Sequence, residues 1–171
     1  MTLPDQDVAP KILRSLLDTC RESEVGLLRA ASRSGKTGLK TFLGTEALQQ
    51  ALFAAELALE LKKLGVSMKP STERPAKLRG WKEIRGTRLL PSGDAAVLLL
   101  CERGERAALR EYFAALHSCL PPGVLELVER QHTQLKEAYK RLYQIREQMQ
   151  NDDRVGEAQP NSRKVGVGWK G

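Results

Sequence analysis

Cys20-Arg-Glu-Ser-Glu24 and Cys101-Glu-Arg-Gly-Glu105 are two copies of one phrase, a thiol followed four positions later by a carboxylate. On a helix, residues at i and i+4 stand one above the other on the same face. Each copy sits in a run of apolar residues at helical spacing. Around the first the stripe is Leu13, Leu16, Leu17, Cys20, Glu24, Leu27, Leu28 and Ala31. Around the second it is Val97, Leu98, Cys101, Glu105, Ala108, Leu109, Tyr112, Phe113 and Leu116. Two similar helix-hairpin halves, each carrying the phrase, predict a pseudo-twofold four-helix bundle with polar groups aimed at its core.

The remaining punctuation agrees. Helix one is expected from about Pro10 to Ser32, where Ser34-Gly-Lys-Thr-Gly38 breaks it. Helix two follows from about Leu39 to Leu64, with Phe42, Leu43, Leu48, Leu52, Phe53, Leu57 and Leu61, and Gly65 suits its C-terminal cap. The connection after it is too long for a bare loop. Leu78, Trp81 and Ile84 fall on one helical face, so residues 75–88 are read as a short amphipathic crossover helix. Asp94 is the expected N-cap of helix three. Pro121-Pro-Gly123 turns the corner into helix four, which carries Val124, Val128, Leu135, Ala138, Leu142, Ile145 and Met149 to about Gln150. Residues 1–150 are thus expected to form the bundle and 151–171 a disordered basic tail.

With 171 residues the chain suits one domain with a good core. No apolar run is long enough to span a bilayer. The first residues are acidic and lack an apolar signal core, so a cytoplasmic protein is expected. Three cysteines, an odd number, argue against a disulfide framework there. The net charge of +7 is concentrated: from Lys62 to Arg88 nine basic residues face two acidic ones, and the tail from Arg154 has four against one. The rest of the chain is slightly acidic.

Two short-loop helix pairs joined by one long crossover give the ferritin-like topology. Cys20…Glu24, Phe53-Ala-Ala-Glu-Leu57, Asp94-Ala-Ala-Val97, Cys101-Glu-Arg-Gly-Glu105, Tyr112 and Pro121-Pro…Val128-Glu-Arg-Gln131 together resemble a bacterial family of ferritin-like four-helix-bundle domains of unknown function. The likeness covers roughly residues 9–148. It implies an all-α fold, a cytosolic setting and a metal, without implying a reaction.

Ferritin-like di-iron sites take a Glu from each of two helices and Glu-x-x-His from each of the other two. Helix four offers Glu129-Arg-Gln-His132, but the matching stretch on helix two reads Glu56-Leu-Ala-Leu59, without the histidine. Counting heights along the helices puts Glu24 and Glu105 level, facing Glu46 and either Glu137 or Tyr139. Glu129 and His132 fall lower, near Asp18 and Glu56. The carboxylates form two incomplete clusters, so a di-iron ferroxidase or oxidase centre is not expected. For the upper cluster three readings stay open. Glu24 and Glu105 hold a transition metal such as iron or zinc, with Cys20 and Cys101 as further ligands; or they are a relict site sharing protons; or the glutamates face outward. His132 is either a ligand or a satisfied, half-buried histidine.

Arg33-Ser-Gly-Lys-Thr37 resembles the end of a phosphate-binding loop, yet Ala30 stands where that pattern needs glycine and no strand precedes it. It is a loop. The basic crossover could attract a protein or an anionic surface, but Trp81 is its sole aromatic and is read as an anchor to the bundle, so nucleic acid is not expected and a solvated basic face is the simpler reading. The tail, Lys164-Val-Gly-Val-Gly-Trp-Lys-Gly171, resembles peptides that load cargo into bacterial encapsulin shells, although Val167-Gly-Trp169 departs from their Gly-Ser-Leu-like core. A plain disordered end is the simpler reading. Helix two is apolar around much of its circumference, which points to a homodimer. The functional expectation is a non-enzymatic bundle in metal handling or stress response, with an adaptor acting through residues 62–88 or an encapsulated cargo as the alternatives.

Overall fold

The computed structural model describes residues 8–67 and 93–157, with side chains to 155. Four helices make up this part, with no strand among the described residues: α1 (Val8–Arg33), α2 (Thr37–Lys63), α3 (Asp94–Leu116) and α4 (Pro122–Glu157). The fold class read from the periodicity is therefore all-α. The crossover helix expected at 75–88 and the tail motif at 164–171 lie outside the described residues. The last helix runs past its expected end at Gln150 to Glu157.

Polar contacts between helices establish their directions. The loop after α1 meets the start of α3, where Gly35 N and Lys36 N donate to the Asp94 carboxylate at 2.8 and 3.2 Å, whereas Cys20 meets Tyr112 far along both helices. α1 and α3 are thus antiparallel. Glu46 meets Arg141 and Glu56 meets Arg130, so α2 and α4 are antiparallel too. Glu102–Arg146 and Tyr112–Gln131 show the same for α3 and α4. It follows that α2 and α3 run in the same direction, and that the chain between Val66 and Gly93 joins opposite ends of the bundle.

The caps come from local chemistry. Gly65 adopts φ +75°, and Gly65 N donates to Lys62 O while Val66 N donates to Leu61 O at 3.0 Å. That is the Schellman arrangement, completed by Val66 packing on the cluster that contains Leu61. Gly93, at φ +123°, is the N-cap of α3. Asp94 is not the cap expected from the sequence: its carboxylate reaches across the bundle to the α1–α2 loop. Such a loop exposes its orphan amides, and a carboxylate is a strong acceptor for them.

Two apolar clusters fill the interior. One, towards the α3–α4 turn, gathers Leu13, Leu16, Leu17, Phe53, Leu57, Leu61, Val124 and Val128. The other, towards the α1–α2 loop, gathers Leu27, Leu39, Leu43, Val97, Leu98 and Leu142. Each fully buried leucine contributes about 1.5–3 kcal/mol. Several residues expected in the core are instead exposed: Leu28, Leu48, Leu52 and Phe113. Leu28 and Phe113 sit at the edges of their apolar arcs, and Leu48 and Leu52 on the outward face of α2; the bundle covers only the part of each helix that faces a neighbouring helix.

Candidate functional site

Polar side chains are buried between and beside these clusters, in two adjoining layers. The lower layer draws one residue from every helix. Tyr112 O–H on α3 donates to Gln131 Oε1 on α4 at 2.8 Å, and Cys20 Sγ on α1 lies 3.1 Å from the same hydroxyl. Because the tyrosine proton is committed to Gln131, the thiol is the donor in that pair. Gln131 Nε2 in turn donates to Glu56 Oε2 on α2 at 2.7 Å and to Phe53 O at 3.3 Å. Arg130 closes the chain at the surface with an ion pair to Glu56 Oε1 at 3.0 Å.

The upper layer centres on Glu105, which is 1% exposed. Gln50 Nε2 donates to Glu105 Oε2 across a long 3.4 Å. Glu105 Oε1, Gln50 Oε1 and Ser23 Oγ are buried with no hydrogen-bond partner among the described residues. Burial first, and then the charge of Glu46, pushes the Glu105 carboxyl up to about 8. Glu46 is raised as well by burial, against the opposing pull of Arg141 at 3.5 Å. The neighbouring Glu102 is buried but paired with Arg146.

The two thiols are held protonated. Burial is the main cause for Cys20, pushed up to about 12 against the hydrogen bond with Tyr112, and Glu105 adds to it. Cys101 is raised further by burial, then by Glu105 and Glu102. Tyr112 is likewise raised, chiefly by burial. Glu105, both thiols and the Tyr112 phenol thus lie in dry surroundings in which negative charge is disfavoured throughout.

Measured against the sequence, the candidate ligands separate. Cys20 belongs to the lower apolar cluster and Cys101 to the upper one. Glu105 is buried between them, whereas Glu24 is only half-buried and Ser23 takes the inward position beside it. Glu129 is exposed and His132 half-buried, its imidazole pKa lowered by burial and by Lys136. Gln131, between them, is the residue that points inward. Glu137 is exposed, and the Tyr139 hydroxyl accepts from Arg106 Nη2 at 2.8 Å.

Gln50 and Gln131 were missed, and a signal for both existed. One track of buried positions on α4 runs Val124, Val128, Gln131, Leu135, Ala138, Leu142, with Leu127 buried beside it, and one on α2 runs Leu43, Ala47, Gln50, Ala54, Leu57, Leu61, with Leu39, Glu46 and Phe53 buried beside it. Each glutamine is the one polar residue in an otherwise apolar series of alternating four- and three-residue steps.

The donor set does not fit a di-iron centre. Among the described residues no group of three or more His, Cys, Asp or Glu could hold a metal ion. Each inward carboxylate already has a donor from its own chain: Glu56 from Gln131 and Arg130, Glu105 from Gln50, Glu46 from Arg141 and Glu102 from Arg146. A small surface cleft of about 120 Å³, lined by Ile12, Ser15, Leu16, Glu111, Ala114, Ala115 and Ser118, is smaller than ordinary ligand pockets. No described helix is long and apolar enough to cross a membrane. No family model matches the chain, and no curated protein matches it.

Proposed function

We propose that this chain is a ferritin-like bundle that has given up di-iron chemistry and serves a non-enzymatic role, its inward carboxylates held by amides and arginines and, at Glu105, by a retained proton. The observation that carries this reading is Gln131. It stands inward between the outward-turned Glu129 and the half-buried His132, and spends its amide on Tyr112 and Glu56. An amide neutralises nothing but satisfies both partners, which is what a carboxylate and a phenol need when no cation lies between them. The parallel course of α2 and α3, with a long connection between opposite ends, supports the ferritin-like assignment.

Iron(II) and oxygen supply the test. Purified protein is expected to contain no stoichiometric transition metal and to give no saturable iron oxidation. Rapid, saturable oxidation abolished by Glu105→Ala would establish a ferroxidase instead.

A second reading, an adaptor for an acidic protein or anionic surface, is favoured by the charge between Lys62 and Arg88, nine basic residues against two acidic. It expects partner binding to be lost when Arg79, Lys82 and Arg85 are reversed to glutamate, with the helical content unchanged.

A further inference from the structure

The outward face of α2 carries an unusual series. Thr41, Thr45, Leu48, Leu52, Ala55, Leu59 and Lys62 are all exposed, at steps of 4, 3, 4, 3, 4 and 3 residues. The three leucines are 63%, 53% and 59% exposed. Such stepping is the a/d seam of a coiled coil, and nothing in the described bundle covers it. From Ala47 to Ala55 the helix bears no charge. The next two acids, Glu56 and Glu60, are engaged by Arg130 and Lys63 of the same chain.

We infer that this seam binds a second copy of the chain, α2 against α2 in antiparallel orientation about a twofold axis between Phe53 and Ala54. The series is its own complement. Antiparallel pairing about that midpoint sets Leu48 against the partner's Leu59, and Leu52 against the partner's Ala55. Each a position then meets a d position, and the bulky Leu52 meets the smallest side chain of the seam. An isologous interface requires this self-complementarity, whereas an unrelated partner does not. At both ends the seam stops in polar residues, Thr45 opposite the partner's Lys62, so no leucine is left over.

Charge and size agree. A helix of 27 residues is about 40 Å long and, paired with α1, presents a face about 20 Å wide. That is roughly 800 Å² per copy, the share each partner gives to a standard interface. α1, packed along α2, leaves Val25 and Leu28 exposed as well. With no charge in the centre of the seam, an acidic or basic partner has nothing there to recognise.

The experiment is light scattering over a wide concentration range on the full chain and on variants. The wild type is expected at twice the 19.0 kDa chain mass. Leu52→Glu, an exposed change that leaves helical content unaltered by circular dichroism, is expected to give the monomer. The double variant Leu52→Glu with Ala55→Lys places opposite charges across the axis twice and is expected to restore the dimer, which tests the register itself. A wild type that stays monomeric at every concentration would overturn the inference and leave the seam to the chain's own residues 68–92. A dimer indifferent to Leu52→Glu would overturn it equally.

Discussion

Glu105 accepts one long hydrogen bond, from Gln50 Nε2 at 3.4 Å, and its second oxygen accepts none among the described residues. A charged carboxylate so placed would be very costly, so the proton is the partner that makes the site tolerable. This has a direct consequence for stability. Between pH 4.5 and about 8 the folded state keeps a proton that the unfolded chain has lost. Stability conferred by that proton is complete below the lower value, falls as pH rises and is gone above the upper one. Glu46, raised in the same direction, steepens the fall, while Cys20, Cys101 and Tyr112 stay neutral across the window.

Glu105→Gln is neutral, near-isosteric and free of this titration. It is expected to flatten the pH dependence of urea unfolding across the window. Above it, the variant gains about 1–3 kcal/mol over the wild type, because it keeps neither the buried charge nor its repulsion by Glu46. A variant less stable than the wild type in mild alkali would mean that the charge itself is needed.

Tyr112→Phe removes the hydroxyl that joins Cys20 to Gln131. Gln131 Oε1 is then buried without a donor, which costs about 1–3 kcal/mol. Unfolding in denaturant should show that loss with an unchanged m-value, because the ring still fills its site.

The thiols should divide by burial. Cys119 is exposed, whereas Cys20 and Cys101 are buried and held protonated. Since the thiolate is the nucleophile, an alkylating reagent near neutral pH should label Cys119 alone in the native protein and all three cysteines after unfolding. Fast native labelling of Cys20 would show that the lower layer opens.

How far the sequence revealed this arrangement varies with the question asked. The helices and the Gly65 cap follow from local chemistry, and periodicity plus punctuation were enough to find them. The inward positions depend on where neighbouring helices lie. From Cys101 the inward track includes Glu105, Ala108 and Tyr112, but from Cys20 it takes Ser23 and Leu27, leaving Glu24 at the edge. A three-residue step and a four-residue step bracket the same helical face, and packing decides which is used. On α4 the same ambiguity drew attention to Glu129 and His132, two residues before and one after the buried Gln131. Metal-ligand chemistry suggested those two, whereas the heptad spacing favours the glutamine.

Asp94 offers a test of the loop contact. Asp94→Ala removes the acceptor for Gly35 N and Lys36 N. Those amides are exposed and can turn to water, so the cost should be only about 0.5–1.5 kcal/mol. Hydrogen exchange at the two amides should nonetheless accelerate while α1 keeps its protection.

The carboxyl carbon of Glu105, followed by NMR as a function of pH, reports most directly on whether a proton or a metal ion holds the buried layer. A midpoint of about 8, unmoved by one equivalent of zinc or of anaerobic iron(II), is the expected result. A midpoint in the ordinary carboxylate range, or one driven down by a single equivalent of either metal, would contradict the proton-held layer and restore Glu105 as a ligand.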